Sequence, residues 1–505
     1  MGSKTLKTVV GIAAVAVGLG FVGGAVGAWA STTAFTLGAA TITYGSIASM
    51  VGLSILGSAL APEVPDMGDL AGVDSYSGQK LQTNKSNTAP VPVVYGKHRL
   101  GGNIIYQKTN TAINADSAAK GYNRDYWAII AVAGHNINDI TNIYAGEDAL
   151  NSLGSNKYEL AHVHIKWYDA SATATSIQAV DFVINDTGTT NTGLTLGLDD
   201  LDIPANTAYL AVHQVFDGEN NANTQMANVT IEIEGKKIRT ITDASTISAT
   251  ETYTTNPAEV VLDLLGDGLS IPDSQIDIAS FYDVKTKCNT NTWECNLALI
   301  QQANIQSTIQ EVLSTFRGQI IHSENVWKLK ADAKQQTSVA TITEDDIVNN
   351  TLSISMKGSK DISNKIILKY IDPTDDWLAA QVVKEDSTLQ TLDGQTLERT
   401  LDIKGITNAT QAGTMAEITL NTMRYTEDAL GVRIKQTPLV CSFATSVKNA
   451  HLEVGDVITL SHDLLDRDRK FMLLSVETDQ SGLIQISARE YAETHYKDSS
   501  GTYLI

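Results

Sequence analysis

YWAIIAVAGHNINDITNIYAGEDAL, Tyr126–Leu150, is the stretch that decides the fold class. Tyr126–Val132 is apolar and rich in β-branched residues, Ile137–Tyr144 alternates, and Gly134 and Gly146-Glu147-Asp148 punctuate them. This predicts two strands around a tight turn at Gly134. The alternation through Tyr126-Trp127 predicts burial of at least one of that pair. Working outward, VPVVYGKHRLGGNIIY (Val91–Tyr106) alternates and turns at Gly96 and Gly101-Gly102. Tyr158–Tyr168 reads as one strand with Val163, Ile165 and Trp167 on one face, Thr187–Asp200 as a loop-rich excursion, and Ala208–Phe216 and Val229–Ile233 as further strands.

The period then changes. Asn256 is placed to cap a helix with Pro257 at its first position, and Val260, Val261, Leu264 and Leu265 supply an apolar stripe that Gly266 and Gly268 end. Ile276–Lys287, Thr308–Phe316 and Thr410–Met423 also read as helical. Ile320–Lys330, Thr341–Tyr370, Ser387–Asp402, Val457–Leu460, Phe471–Glu477 and Leu483–Tyr491 read as β. The expected fold class is α+β, mostly β and multi-domain, with two β-rich halves flanking a helical insertion. A chain of 505 residues accommodates three or four domains.

The N-terminus is of another kind. From Thr8 to Pro62 no side chain is charged, and the stretch is Gly/Ala-rich. It is long enough for two helical spans joined near Ser31–Thr33. Gly20/Gly24, Gly23/Gly27 and Ala48/Gly52 have small-xxx-small spacing, which lets helices approach closely. Three readings stand for this segment. A cleaved signal peptide fits Lys4, Lys7 and the end Ala28-Trp29-Ala30, but leaves the second apolar stretch unexplained. A bilayer anchor and a bundle sheltered in the lumen of an oligomer are the others. Leu6 breaks the myristoylation pattern.

With 57 acidic against 36 basic residues the formal charge is −21, which excludes broad phosphate-contact binding of nucleic acid. An acidic conduit that DNA crosses without sticking is compatible with it. Three cysteines make no disulfide framework; Cys288 and Cys295 are spaced to close a small loop or to stay as two thiols, and Cys441 has no local partner. No Walker A, G-x-S-x-G, H-E-x-x-H or C-x-x-C motif is present, and no cofactor is implied. His162 and His164, two apart on the expected strand, are weak metal candidates whose bland reading is a solvated face. The carboxylates around Asp199–Asp202, Asp217–Glu219 and Asp263/Asp267 read as solvated turns and helix-end groups, so no catalytic residue is assigned. Tyrosine, at 17 against 8 Phe and 6 Trp, suits protein interfaces.

Several motifs occur together in order. Pro92, Tyr95-Gly96 and Gly101-Gly102 resemble the P-V-x-Y-G…G-G opening of tail-tip hub proteins of long-tailed bacteriophages, the host-specificity protein J family. Tyr126–Leu150 is similar to that family's strand–Gly–strand hairpin. Asn256-Pro257-Ala258, Asp263, Ile271-Pro272, Ile276-Asp277, Phe281 and Cys288 resemble its helical domain. Phe316-Arg317-Gly318, Trp327, Asn364-Lys365, Tyr370-Ile371-Asp372-Pro373, Gln411-Ala412 and Arg489-Glu490-Tyr491 continue the likeness to about Tyr491.

The resemblance implies a homotrimeric hub closing a tail tube and forming the DNA exit channel. Its implied partners are copies of itself, a tail tube or distal tail ring, a tape-measure protein and a distal fibre or tip protein. DNA would pass without specific binding, and a host membrane would be met at ejection. Implied domains are an apolar plug or membrane-interacting segment (1–64), a linker (65–90), a first tube-like β domain (91–150 with about 205–250), a peripheral β-rich insertion (151–204), a helical domain (253–335) and a second tube-like β domain (336–505). Host recognition is expected to lie in a separate protein. The competing class is a membrane-anchored secreted β-domain surface or adhesion protein.

Overall fold

The computed structural model describes residues 33–37, 40–43, 83, 89–111, 123–154, 157–160, 163–168, 206–215, 228–334, 337–349, 351–358, 361–478, 482–498 and 502–503. Strands dominate it. Within the N-terminal stretch Thr33–Leu37 and Ala40–Thr43 pair as an antiparallel hairpin, where a helical segment was expected. The β-branched run Thr41-Ile42-Thr43 favours extended backbone over helix. Gly20, Gly24, Gly27, Trp29 and Gly52, the other residues of that expectation, lie outside the described residues. Among the described residues no helix is long and apolar enough to cross a membrane.

The first β unit has two sheets. One runs Asn103–Thr111, Asn123–Ala133, Ala208–Val215, Val163–Tyr168, Lys157–Leu160, Asn151–Gly154 in spatial order; the other is built on Val229–Asp243, which pairs with Ile137–Ala145, Lys97–Leu100 and Thr246–Tyr253. The expected hairpin at Gly134 is therefore a corner. Asn123–Ala133 and Ile137–Ala145 lie in different sheets, and their apolar faces share one core through Ile130, Val132, Ile137, Ile140 and Ile143. The corner is held because the Gly134 amide donates to Pro92 O (3.0 Å) and His135 Nε2 accepts the Val94 amide (3.0 Å).

Tyr158–Tyr168 likewise divides into Lys157–Leu160 and Val163–Tyr168, paired antiparallel, with Val163, Ile165 and Trp167 buried on one face as the alternation indicates. Asn151–Gly154, Lys157–Leu160 and Val163–Tyr168 extend the first unit's own sheet.

Helices α1 (Pro257–Asp263), α2 (Ile278–Thr290) and α3 (Ile305–Ser314) follow. Asn256, Asp277 and Asn304 cap them by accepting backbone amides with side-chain oxygens. α1 is buried on every side, so it sits at the centre of its core instead of on a surface. Val260, Leu265, Phe281, Val312, Phe316 and Trp327 meet there. A Phe truncation at such a site costs about 3–5 kcal/mol. The same core takes in Ile366 and Leu368 from Lys365–Asp372 and Ala412, Met415 and Ala416 from α5 (Ala409–Arg424), whose preceding helix is α4 (Ser387–Asp393). α4 replaces strand expected from Ser387. Asp386 accepts the Thr388 and Leu389 amides at its start, and Gly394 at φ +68° ends it, so both helix signals outweigh local β-propensity.

Lys365–Asp372, Leu378–Glu385 and Glu398–Asp402 form a three-stranded sheet against α5. A second six-stranded sheet, Ala340–Ile342, Val457–Leu460, Arg469–Thr478, Ile484–Glu490, Leu439–Thr445, Ser353–Met356, has its own core around Phe443, Phe471 and Ile486.

Candidate functional site

Some of the residues singled out by sequence, Tyr95, Gly96 and Asp263 among them, lie where the first β unit meets the helices. Val93–Tyr95 pairs with Leu297–Leu299 beside the helical core. Between Val93–Tyr95 and Lys97–Leu100, Gly96 takes φ +66°. A Cβ there would collide with the Asn296 side-chain oxygen and the Cys295 carbonyl. Asn296 uses that space: its Oδ1 accepts the Lys97 amide (2.7 Å), its Nδ2 donates to Thr407 Oγ1 (2.7 Å), and its amide donates to Gly405 O (2.9 Å). One buried asparagine thus ties the first β unit, the helical region and the segment leading into α5. Sequence reading missed it, because its partners lie more than a hundred positions away along the chain in both directions.

The Tyr95 hydroxyl donates to Asp263 Oδ2 (2.6 Å), and Lys236 Nζ donates to both Asp263 oxygens (3.0 and 2.7 Å) and to Asp267 (2.8 Å). Burial and then the Asp263 charge push the Tyr95 hydroxyl well above its ordinary value. Burial opposes the Lys236 ammonium, yet the two carboxylates overcome it and leave it raised. Asp263 and Asp267 are therefore a fastening for strand Val229–Asp243, where sequence suggested only helix-end solvation.

A second fastening lies at the turn after Tyr370. The Tyr370 hydroxyl donates to Asp372 (3.3 Å), Asp372 caps the short turn begun by Pro373, and Asp376 and Trp377 both adopt positive φ. That geometry delivers Asp376 to Arg99 and the Trp377 indole N–H to Glu232 (3.2 Å). Arg99 is buried, donates to Thr230 and lies 3.8 Å over the Tyr144 ring. The Glu232 carboxylate also accepts from Tyr144 (2.8 Å) and Asn142 (2.9 Å); although burial opposes it, these donors hold it below its ordinary value. The His98 ring lies tilted against Trp377, with centroids 5.2 Å apart.

A third fastening is ionic and buried. Asp332 receives Arg317, Arg489 (2.9 Å) and the Tyr496 hydroxyl (2.5 Å). Burial works against its carboxylate, and the two guanidiniums nevertheless hold it far below the usual range.

The other expected residues are structural. Asn256 caps α1 through the Ala258 amide (3.0 Å) and donates to Lys285 O and Asn289, with Pro257 in the first turn. Pro92 is buried at the Gly134 corner, Gly101 is half-buried, and a Cβ on Gly102 would run into Ala131 O. Cys288, Cys295 and Cys441 are all buried free thiols. The loop from Cys288 to Cys295 is closed by the backbone instead, with Trp293 donating to Cys288 O (2.9 Å) and Cys295 to Thr255 O (2.8 Å). His164 stands on Val163–Tyr168, and His162 lies outside the described residues. Among the described residues no cluster of three or more His, Cys, Asp or Glu is arranged to hold a metal. These contacts fasten one part of the chain to another.

Residues 304–476 match the family described as putative phage tail protein. The match covers well under half of the chain. A chain in the structure of the virion of native gene transfer agent (GTA) particle shares the fold, with a TM-score of 0.58 and 13% identity over 92% of this chain and 100% of that one. The tail protein from Neisseria meningitidis MC58 (TM-score 0.30, 8% identity, 73% of this chain and 97% of that one) and the 43 kDa tail protein of prophage MuSo2 from Shewanella oneidensis (0.28, 8%, 80% and 97%) are more distantly similar. No curated protein matches the chain.

Proposed function

We propose that this chain is the structural hub of a phage tail tip. In this reading three copies close the tail tube, surround the DNA exit channel and join the tube to a distal tip or fibre protein. The two β units act as tube-like domains, and the helical region braces them from the side. The carrying observation is a phage tail family match over 304–476 combined with a fold shared across 92% of the chain with a virion component. The fastenings at Asn296, Arg99 and Asp332 support it, since a ring element under load needs its β units locked to one another. The −21 charge suits a lumen that DNA crosses without adhering. The uncharged stretch Thr8–Pro62 would plug that lumen or enter the host envelope at ejection.

Light scattering with and without detergent tests the assembly. A discrete particle of three times the 54.1 kDa chain mass, without detergent, is expected. A monomer or aggregate rescued by detergent would overturn the hub reading in favour of a membrane-anchored surface protein. Deleting residues 2–62 should spare the trimer and impair genome delivery; normal infectivity of that deletion would refute the plug.

A further inference from the structure

Three strands of eight residues or more stand last in their sheets among the described residues: Asn103–Thr111, Thr246–Tyr253 and Leu378–Glu385. A strand in that place offers a row of free amides and carbonyls to any other extended chain, and folds blunt it with bulges or lysines. Two of the three are blunted. Asn103–Thr111 is bulged between Ile104 and Tyr106 and carries Lys108. Thr246–Tyr253 is bulged where it runs past Arg239 to Asp243, and its Thr250 amide is turned back onto Ser248 Oγ (3.0 Å).

Leu378–Glu385 has no such guard. It pairs with Lys365–Asp372 residue for residue and without a bulge, from Leu378 opposite Asp372 to Glu385 opposite Lys365. It holds no proline. On its other side its amides and carbonyls have no partner among the described residues. Ala380 and Val382 pack on the core, and Lys384 pairs with Glu417 of α5 (2.8 Å). The alternate side chains Ala379, Gln381 and Val383 are exposed, as is Leu378, so the free edge runs beside a small and apolar centre. Acid stands at either end. Asp375 precedes the strand and Glu385 closes it; both are exposed, and neither is ion-paired among the described residues. Lys365, opposite Glu385, turns to Glu398 instead (2.8 Å).

We infer that Leu378–Glu385 docks an extended segment of another protein as a fourth strand of this sheet, a segment apolar in its middle and basic at its ends. Main-chain hydrogen bonds give such a contact its affinity, and the side chains on the exposed face select the partner. The free edge calls for an extended backbone, and the unpaired Asp375 and Glu385 call for cations at its ends. A second copy fits worse. Paired antiparallel on the same edge, it sets its Glu385 at the Asp375 end of the first; paired parallel, it sets Glu385 against Glu385, and like charges facing across strands destabilise. The inference stands whether or not the chain closes a tail tube.

Hydrogen exchange of the full chain with the peptide KVTVTVTR tests it. Saturable slowing confined to residues 378–385 is expected. The same peptide N-methylated at every residue has no main-chain donors and should protect nothing. Val383 is 41% exposed, so Val383→Lys keeps the fold while placing a lysine on the edge, and it should weaken binding about tenfold. Absence of protection, protection elsewhere, equal protection by the methylated peptide, or parent-like binding by Val383→Lys would each overturn the inference. The peptide LAAQVVKE, this chain's own strand, protecting as well as KVTVTVTR would overturn the assignment to another protein in favour of a second copy.

Discussion

The side-chain oxygen of Asn296 lies where a Cβ on Gly96 would have to be, and from there it accepts the Lys97 amide at 2.7 Å. Gly96 is thus required twice, for φ +66° and for the room it leaves. Gly96→Ala should cost about 2–4 kcal/mol, the sum of left-handed strain and a displaced buried amide. Gly146 is the control: its φ is +69° but nothing lies within 4 Å of its Cβ position, so Gly146→Ala should cost about 1 kcal/mol. Urea unfolding of both variants checks this, and equal losses would show that Asn296 contributes no room-dependent contact.

Arg99 and Asp376 join the first β unit to the turn after Pro373. Arg99 is buried and Asp376 is partly exposed, so the pair is worth less than a fully buried one. Asp376→Asn should cost about 1 kcal/mol, while Arg99→Met also strands Thr230 and Tyr144 and should cost about 2–3 kcal/mol. Hydrogen exchange should then speed selectively across residues 372–377 and 228–234. A uniform change over the chain would mean that the contact is not a local fastening.

Two buried histidines set a pH dependence. Burial lowers His98 from 6.5 to about 4, and burial followed by the Arg489 charge lowers His495 from 6.5 to about 3. Above pH 6.5 both are neutral in folded and unfolded chains and stability is unaffected. Below it the unfolded chain takes up protons that the folded chain refuses, so stability falls with pH, through about pH 4 for His98 and about pH 3 for His495. Between about pH 6 and about pH 4 the combined slope approaches about 2.7 kcal/mol per pH unit, and below about pH 4 only the His495 half remains. His98→Gln should remove about half of it. An unchanged slope in that variant would show that His98 is not neutral in the folded chain.

Much of this organisation is legible in the sequence. Asn256-Pro257 marks the start of α1, and the alternation at Val229–Ile233 marks a strand, because caps and periodicity are local signals. What escaped was set by distant partners. Whether Asn123–Ala133 and Ile137–Ala145 pair or part at Gly134 depends on Pro92 and Val94 filling the corner. Whether Asp263 is solvated or fastened depends on Tyr95 and Lys236. Helix α4 reads as strand from its β-branched Thr388 and Thr391, and the Asp386 and Gly394 signals that flank it decide for helix. Asn296 carries no motif at all; only its position opposite a left-handed glycine gives it a role.

The cysteines offer the last check. Burial pushes the Cys295 and Cys441 thiols up to about 12, and burial raises Cys288 also. A neutral, buried thiol is a poor nucleophile. Iodoacetamide at pH 8 should therefore label none of them in the native chain within the time needed to label a model thiol completely. In denaturant without reductant all three should react, because none is bridged. A single labelled cysteine under those conditions would instead place a disulfide between Cys288 and Cys295, and would move the chain's assembly to an oxidising compartment.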